Sequence, residues 1–521
     1  MIEITGEGVT IDEVWKVAGA EAAGEAVAAW RGEHVQLSDS ARARMQTSRD
    51  FIEKAITKGE IIYGVNTGFG AFSSVRISDA DIENLQKNLI HSHCVGVGEP
   101  FTRAESRAIM FLRANTLARG HSGVRVEVVE KIIEFLNHDI IPVIPSQGSV
   151  GASGDLAPLA HLALSLIGEG EVWSPSGTRQ NTLEVLKSHN LEPLKLKAKE
   201  GLSLINGCQV MTAVGLLAAH RARNLVLQAD VSGAMSLEAL RGSRSAFDPL
   251  ISETRPHAGE RKTARNLLRI LGETSEISKS HENCDRVQDA YSLRCMPAVH
   301  GAVKDSLRRA IETLEIEANS STDNPLVFAK DGKVLSCGNF HGEPVAFQLD
   351  YLAIALAAIG SMSECRISKL INPNFSRLPA FLAVDGGLNS GMMIVQVAAA
   401  ALVSENKIHT HPASVDSIPT SVDKEDHVSM GTIAARKLRK VVDNLENILA
   451  MEMLCSMQAL SLLKPLRPSG AVAVAFDRLE RYVPLAKVDR VFAKDVETIR
   501  HHIASGELLT LATQKIGELE W

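Results

Sequence analysis

One stretch constrains this chain more than any other: Ile144-Pro-Ser-Gln-Gly-Ser-Val-Gly-Ala-Ser-Gly-Asp-Leu-Ala-Pro-Leu-Ala-His161. A loop dense in Gly, Ser and Pro stops at Asp155, and an apolar helical run from Leu156 to Leu166 begins at once. That order is a loop feeding a helix N-terminus, with Asp155 as the expected N-cap. Ala152-Ser153-Gly154 sits at the tip. Gly154 has no Cβ, so the backbone can fold tightly there and its amide nitrogen is unhindered. Attack of that nitrogen on the Ala152 carbonyl would close a five-membered ring. Loss of water, the Ser153 hydroxyl included, would leave an exocyclic methylene conjugated to a carbonyl, an electrophile made from backbone. For the tripeptide alone, a plain glycine turn capping a core helix is the default. A serine-hydrolase reading fails on spacing, because a nucleophile elbow needs Gly-x-Ser-x-Gly and Gly151-Ala-Ser-Gly-Asp155 ends in Asp.

The chain has 521 residues, room for two or three domains or one large elongated body. Aromatics are only 4%, against 45% hydrophobic residues overall, which favours helices packed through small and aliphatic side chains. A net charge of −7 with no basic block argues against nucleic-acid binding. Seven cysteines (94, 208, 284, 295, 337, 365, 455) are scattered without a Cys-x-x-Cys, so reduced thiols and a cytoplasmic location are expected. Cys284 and Cys295, taken with His281 and His300, lack zinc-ligand spacing, and no metal is expected. The N-terminus shows no charged region followed by an apolar core, so no signal peptide is expected. The apolar run Val210 to Leu240 is broken by His220, Arg221, Arg223 and Asp230. It fits a buried bundle helix rather than a bilayer span, and no membrane partner is expected.

Along the chain, the pattern predicts a short extended start, a helix over Ile11 to Ala18, and a linker. A helix capped by Leu37-Ser38-Asp39 then runs to about Lys58. The glycine-rich loop Ile61 to Phe72 lacks the third glycine and the preceding strand of a dinucleotide fingerprint. Helices follow over Ser78 to Cys94, near 104–119 and near 124–137. Residues 170–200 are polar and turn-rich and read as a surface excursion. Beyond Gly201, helices are expected at about 207–241, 259–271, 298–319, 344–370, 389–406, 430–463 and 488–504. The expected fold is mainly α, with residues 1–200 as an N-terminal region carrying the loop and 201–521 as a bundle of long antiparallel helices.

The polar clusters between helices each carry a plain and a chemical reading. Tyr63 is a loop aromatic packing on a helix, or a phenol placed to take a proton. His93, after Ser92, complements a helix dipole, or offers an imidazole partner for a substrate ring. Asn206 in Leu204-Ile-Asn-Gly-Cys208 suits a turn or cap. Arg294 in Gln288-Asp-Ala-Tyr-Ser-Leu-Arg294 is an interhelical salt-bridge residue, or a two-pronged partner for a carboxylate. Asn324 stands before Pro325 as in an ordinary turn. The charge run Pro419 to Met430 reads as a solvated loop.

Together these clusters, in order from about Tyr63 to Lys440, resemble the aromatic amino acid ammonia-lyase family. Gly148 to His161 resembles its signature, and Tyr63-Gly-Val-Asn-Thr-Gly-Phe-Gly70, Leu204 to Gly207, Gln288 to Arg294, Thr322 to Pro325 and Gly338 to Glu343 match its other motifs. The resemblance implies that Ala152, Ser153 and Gly154 become 4-methylidene-imidazol-5-one (MIO), with no metal or dissociable cofactor. It implies Tyr63 as catalytic base, and Asn206, Gln288, Tyr291, Arg294, Asn324 and Phe340 as residues facing the substrate or the prosthetic ring. Asn389-Ser-Gly391 and Ser404-Glu-Asn406 occur in the family too, and structural roles are expected for them. Members acting on histidine carry Ser-His at the position of Ser92-His93 and Glu-Asp-His-Val-Ser-Met at Glu425 to Met430. The implied reaction is elimination of ammonia from L-histidine to trans-urocanate, as in histidine catabolism, with His93 reading the imidazole and Glu425, counted with the catalytic residues, either holding that ring or moving a proton. One departure is that many relatives place Asn-Gln before this Glu, where this chain has Asp423-Lys424. The lysine is expected either to lower the Glu425 pKa or to pair with it. The family builds each site from three chains of a homotetramer, which would account for the scatter of the clusters. A phenylalanine or tyrosine lyase, an aminomutase of the same family, and a non-catalytic helical interaction protein are the rivals.

Overall fold

The structure is a computed structural model that describes residues 1–19, 32–68, 75–78, 81–282, 284 and 286–521. Helices dominate it, and the long ones fall where the apolar periodicity predicts. The end of the glycine-rich run, residues 69–72, lies outside the described residues, as does most of the expected linker after Ala18.

Five helices shape the surroundings of the Ala152–Gly154 loop: α1 (Ile82–His93), α2 (Arg103–Ala118), α3 (Leu156–Leu166), α4 (Glu200–Ile205) and α5 (Gln209–Ala239). Thr102 opens α2 with a capping box, its hydroxyl accepting from the Glu105 amide while the Glu105 carboxylate accepts from the Thr102 amide. At ~1.5 Å per residue, α5 is about 46 Å long. It is buried on nearly every face, as expected of the run broken by Asp230. Those interruptions are paired: the Asp230 carboxylate accepts from His300 Nδ1 at 2.9 Å and from Lys304 Nζ, all fully buried. Charges buried this way survive because each has a partner.

The bundle is completed by α6 (Met296–Ala318), α7 (Glu343–Ile371), α8 (Met393–His409) and α9 (Gly431–Leu462). α7 and α9 make the most extensive helix pair, and Arg366 of α7 is locked to Glu452 of α9 at 2.5 Å with neither side chain exposed. One hydrophobic cluster runs from Ile4 to Leu519, so the packed core is continuous across residue 200. By length and composition, α7 is the one described helix long and apolar enough to cross a membrane, and half of its most apolar window is buried inside the fold.

Strands are short and local. Val97–Pro100 pairs antiparallel with Pro145–Gln147, which fixes the chain just before the glycine loop. Residues 170–200 are largely a surface excursion, as expected, except at their end. They form a small hairpin on Ile141–Pro142 and a helix over Thr182–Ser188, then plunge inward. Lys199 and Glu200 at their end are fully buried, because both are ion-paired: Lys199 to Asp323, and Glu200 to Arg125.

Candidate active site

The loop tip is held by close backbone approach. Gly154 has φ +73° and forms a parallel bridge with Gly207. The Gly207 amide donates to the Ser153 carbonyl at 3.3 Å, and the Asp155 amide donates to the Gly207 carbonyl at 2.8 Å. A Cβ on Gly154 would lie 2.1 Å from the Gly207 oxygen, so only glycine fits. From the other side the approach to α9 closes on the loop. The Met430 amide donates to the Val150 carbonyl at 2.8 Å, Ser429 Oγ donates to the Gly151 carbonyl at 3.1 Å, and Ala152 is buried against Val428 and Met430.

Asp155 precedes α3 as expected, but its side chain does not cap that helix. Its Oδ2 accepts instead from the amides of Val210 and Met211, at 2.9 and 3.0 Å, in the first turn of α5. Oδ1 takes the hydroxyls of Ser149, at 3.0 Å, and Thr432. One fully buried carboxylate thus ties the glycine loop to the starts of α5 and α9. Burial raises its pKa, against the pull of those four donors.

Asn206 ends α4. Its Nδ2 donates to Asp323 Oδ1 at 3.1 Å and to the Asn324 carbonyl at 3.4 Å, and its own carbonyl accepts from Arg113 at 2.9 Å. Asp323 is the hub. It also accepts from Lys199 Nζ at 2.7 Å, Ser203 Oγ at 2.8 Å and the Asn324 amide at 2.7 Å. Burial is the largest single influence and pushes its carboxyl up, but Lys199, Arg113 and Ser203 together outweigh it and the net direction is down. Arg113 is wholly buried, which brings it down to about 10. Its Nε and Nη2 have no hydrogen-bond partner. Asn324 Oδ1 accepts from the Cys337 amide at 2.8 Å, and the Phe340 carbonyl accepts from Cys208 Sγ at 3.0 Å. Asn206, Asn324 and Phe340 therefore gather beside the Gly207 end of the loop.

His93 closes α1. Its Nδ1 pairs with the Leu89 carbonyl at 2.8 Å, which assigns the proton to Nδ1 and leaves Nε2 as an acceptor. Burial holds the imidazole below its ordinary 6.5, although the Leu89 bond and the charge of Glu425 push it up. Glu425 sits in a tight turn where Thr420 and Glu425 exchange backbone hydrogen bonds at 2.9 and 3.3 Å. Its Oε2 accepts from Thr420 Oγ1 at 2.6 Å, and its Oε1 accepts from Ser153 Oγ at 2.8 Å. The salt bridge to Lys424 is not among the described contacts, and the carboxylate is engaged by two hydroxyls.

Gln288, Tyr291 and Arg294 form a second group. Arg294 Nη2 donates to Gln288 Oε1 at 3.2 Å, and its guanidinium carbon lies 4.7 Å from the centre of the Tyr291 ring. Tyr291 is 71% exposed. No described hydrogen bond or ring contact joins this trio to the Ser153 loop of the same chain. Tyr63 stands in a turn at residues 63–65, half-buried against the main core.

The sequence profile for the aromatic amino acid lyases matches residues 22–481. The chain belongs to that family. The family's relatives are similar along the whole length. The chain is 47% identical to the histidine ammonia-lyase of Myxococcus xanthus, over 98% of this chain and 97% of that protein. The solved histidine ammonia-lyase of Trypanosoma cruzi superposes with a TM-score of 0.90 at 42% identity, covering 98% of this chain and 95% of that one. A tyrosine aminomutase from Streptomyces globisporus superposes with a TM-score of 0.91 at 38% identity, covering both chains fully. The fold is thus shared by lyases and aminomutases of the family, and the side chains must distinguish them.

The loop also fits the family's prosthetic group. Gly154 tolerates no Cβ, the backbone is pinned on both sides, and the hydroxyl to be lost is already in a hydrogen bond. Sequence reasoning missed Lys199, Asp323 and Arg113, which hold Asn206 and Asn324 in place. It also missed a cluster of His341, Glu343 and His427, whose donor atoms lie within 4.8 Å of one another. There, Glu343 is flanked by His427 at 3.6 Å and His341 at 4.0 Å, and His341 Nε2 is bonded to the His427 carbonyl at 3.2 Å.

Proposed function

We propose that this chain eliminates ammonia from L-histidine to give trans-urocanate, using an MIO group formed from Ala152, Ser153 and Gly154. The observation that carries the substrate is His93. Its Nδ1 is committed to Leu89 and burial favours its neutral form, so Nε2 offers a lone pair to an imidazole N–H. A benzene ring has no such donor, which disfavours the phenylalanine reading; a phenol O–H is a donor, so the tyrosine reading is decided by the product formed.

MIO supplies an electrophile that draws electron density from the substrate and turns its amine into a better leaving group. The chain's own residues bind, orient and move protons. Arg294, held by Gln288 and stacked on Tyr291, takes the substrate carboxylate by two parallel bonds. Tyr63 accepts the β-proton. Asn206 and Asn324 bring amide groups to the Gly207 side, and Phe340 closes the ring's surroundings. His93 and Glu425 face the imidazole.

The exposed trio at Gln288–Arg294 fits a site completed by neighbouring copies in a homotetramer. The outer stripe of α7 fits it too: Phe347, Tyr351 and Ile354 are 54, 51 and 45% exposed at helical spacing, a covered surface in an assembly. Scattered thiols and a net charge of −7 fit a cytoplasmic enzyme.

The test is an ultraviolet time course with L-histidine, L-tyrosine and L-phenylalanine, with Ser153→Ala as control. Urocanate forming from histidine alone, and not in the variant, is the expected result. Cinnamate or coumarate as the main product would overturn the reading of His93.

A further inference from the structure

Resting on that reading, one contact links two reactions. Ser153 Oγ donates to Glu425 Oε1 at 2.8 Å, in a chain that still carries the serine hydroxyl. That oxygen is the one that must depart when the methylidene forms. The partner of Glu425 in the unprocessed chain is therefore the leaving group of a reaction of the chain on itself.

The carboxylate is held for this from two directions. Thr420 Oγ1 occupies Oε2 at 2.6 Å, and the paired backbones of Thr420 and Glu425 fix the turn. Ser421, Val422 and Asp423 within it all have positive φ, 53 to 61°, a conformation that non-glycine residues hold only where surroundings impose it. The turn presents the carboxylate to Ser153 and not to Lys424. Asp155, the other carboxylate near the tripeptide, is fully occupied by four donors, three in the first turns of α5 and α9 and Ser149 in the loop itself, and is not bonded to the Ser153 hydroxyl.

We propose that Glu425 is the acid–base group of prosthetic-group formation, acting before any substrate arrives. In cyclisation, the Gly154 nitrogen bonds to the Ala152 carbonyl carbon; the Gly154 and Ser153 N–H protons leave with the carbonyl oxygen as a first water, and that carbon becomes doubly bonded to the Ser153 nitrogen. In the elimination that Glu425 serves, the Ser153 Cα–H bond breaks and its electrons become the Cα=Cβ double bond. The Cβ–Oγ bond breaks with them. The carboxylate takes up the Cα proton and delivers a proton to the departing oxygen, which leaves as a second water. Glu425 ends as it began, and no oxidant or reductant is consumed. Departure of Oγ then vacates Oε1, which becomes available to the substrate. The same residue is thereby used twice in sequence.

The test is the intact mass of the purified chain and of its tryptic peptide containing Ser153. Each protein is compared with the mass encoded by its own gene. Wild type should lack the mass of two waters. Glu425→Gln and Glu425→Ala should retain one or both waters and lose them about 10²-fold more slowly, the scale of a missing acid–base group. Thr420→Val, which frees Oε2 but keeps the carboxylate, should slow the loss by a smaller factor. Circular dichroism and elution volume report whether each variant is folded. Full loss of two waters in both Glu425 variants at the wild-type rate would overturn the proposal. A wild-type chain at its full encoded mass would instead overturn the MIO reading itself, so the two failures are distinct.

Discussion

Replacing Lys199 with methionine removes a charge from a place where its partner has no water. Lys199 Nζ and Asp323 Oδ2 are 2.7 Å apart with neither side chain exposed. Breaking a buried pair from one side costs about 3–5 kcal/mol, because the remaining charge loses its ion-pair partner and keeps only neutral donors and the field of Arg113. Asp323 has an escape, which is to take a proton, and that escape sets a ceiling. Its ordinary value is 3.8. Protonation at pH 7 therefore costs about 4 kcal/mol, at about 1.36 kcal/mol per unit. The sign of the pH dependence follows. In Lys199→Met the folded state holds a proton on Asp323 that the unfolded state releases above 3.8. Stability of the variant then falls as pH rises, by about 1.4 kcal/mol per unit, while the wild type gains no such slope from this group. Urea unfolding followed by tryptophan emission, at one protein concentration between pH 5 and pH 8, measures the difference. The deficit should be about 3–4 kcal/mol near pH 7 and shrink toward pH 5. Lys199→Met with Asp323→Asn should recover more than half of it and lose the slope. A deficit equal at every pH, or a double variant no better than the single, would refute the reasoning. The left-handed φ of Lys199, +71°, is common to lysine and methionine and cancels.

Gly154→Ala should fold but keep the full encoded mass and show no elimination, since its Cβ would lie 2.1 Å from the Gly207 oxygen; intact mass and the urocanate assay read both. His93 should titrate below 6.5 in a histidine-labelled NMR titration assigned with His93→Gln, and a midpoint above 6.5 would contradict its burial. His93→Leu should lower kcat/KM for histidine by about 10²-fold or more while losing far less toward tyrosine, because a site built for a hydrogen bond loses it outright. Dialysis against a chelator should leave elimination unchanged, because no residue assigned to the reaction belongs to the His341–Glu343–His427 cluster; activity restored only by added zinc would show otherwise.

Much of this was legible in the sequence for a physical reason. A long helix with one exposed side states its buried face every three or four residues, so α7 and α9 are readable from apolar spacing, whereas α5, buried on nearly every face, is readable as a long apolar run. Gly154 is readable because a backbone approach excludes every side chain but hydrogen. The misread parts depend on partners far along the chain. Asp155 looks like the cap of the helix it precedes, yet its acceptors serve amides 55 and 56 residues later. Lys199 follows Lys195 and Lys197 in a polar run and reads as one more solvated cation. Only Asp323, 124 residues on, makes it a core residue. Glu425 lies in a charge run whose solvated reading is natural, and the fold alone brings it to Ser153, 272 residues away.

The two groups of site residues differ in what completes them, and that difference can be measured. The Ser153–Glu425 contact lies within one chain. The Gln288–Arg294 trio lies at the surface, with Tyr291 71% exposed, and in the proposed homotetramer a neighbouring copy completes it. Formation of the prosthetic group and turnover should therefore separate. Tyr351→Asp places a charge in the middle of the apolar stripe of α7, next to Phe347 and Ile354, and burying an unpaired carboxylate there costs several kcal/mol. The variant should elute as a smaller species and lose elimination. It should nonetheless lack the mass of two waters, because the residues that remove them need no second chain. A Tyr351→Asp chain that is dissociated and retains its full encoded mass would show that assembly comes first and that the Ser153 loop reacts only inside the oligomer.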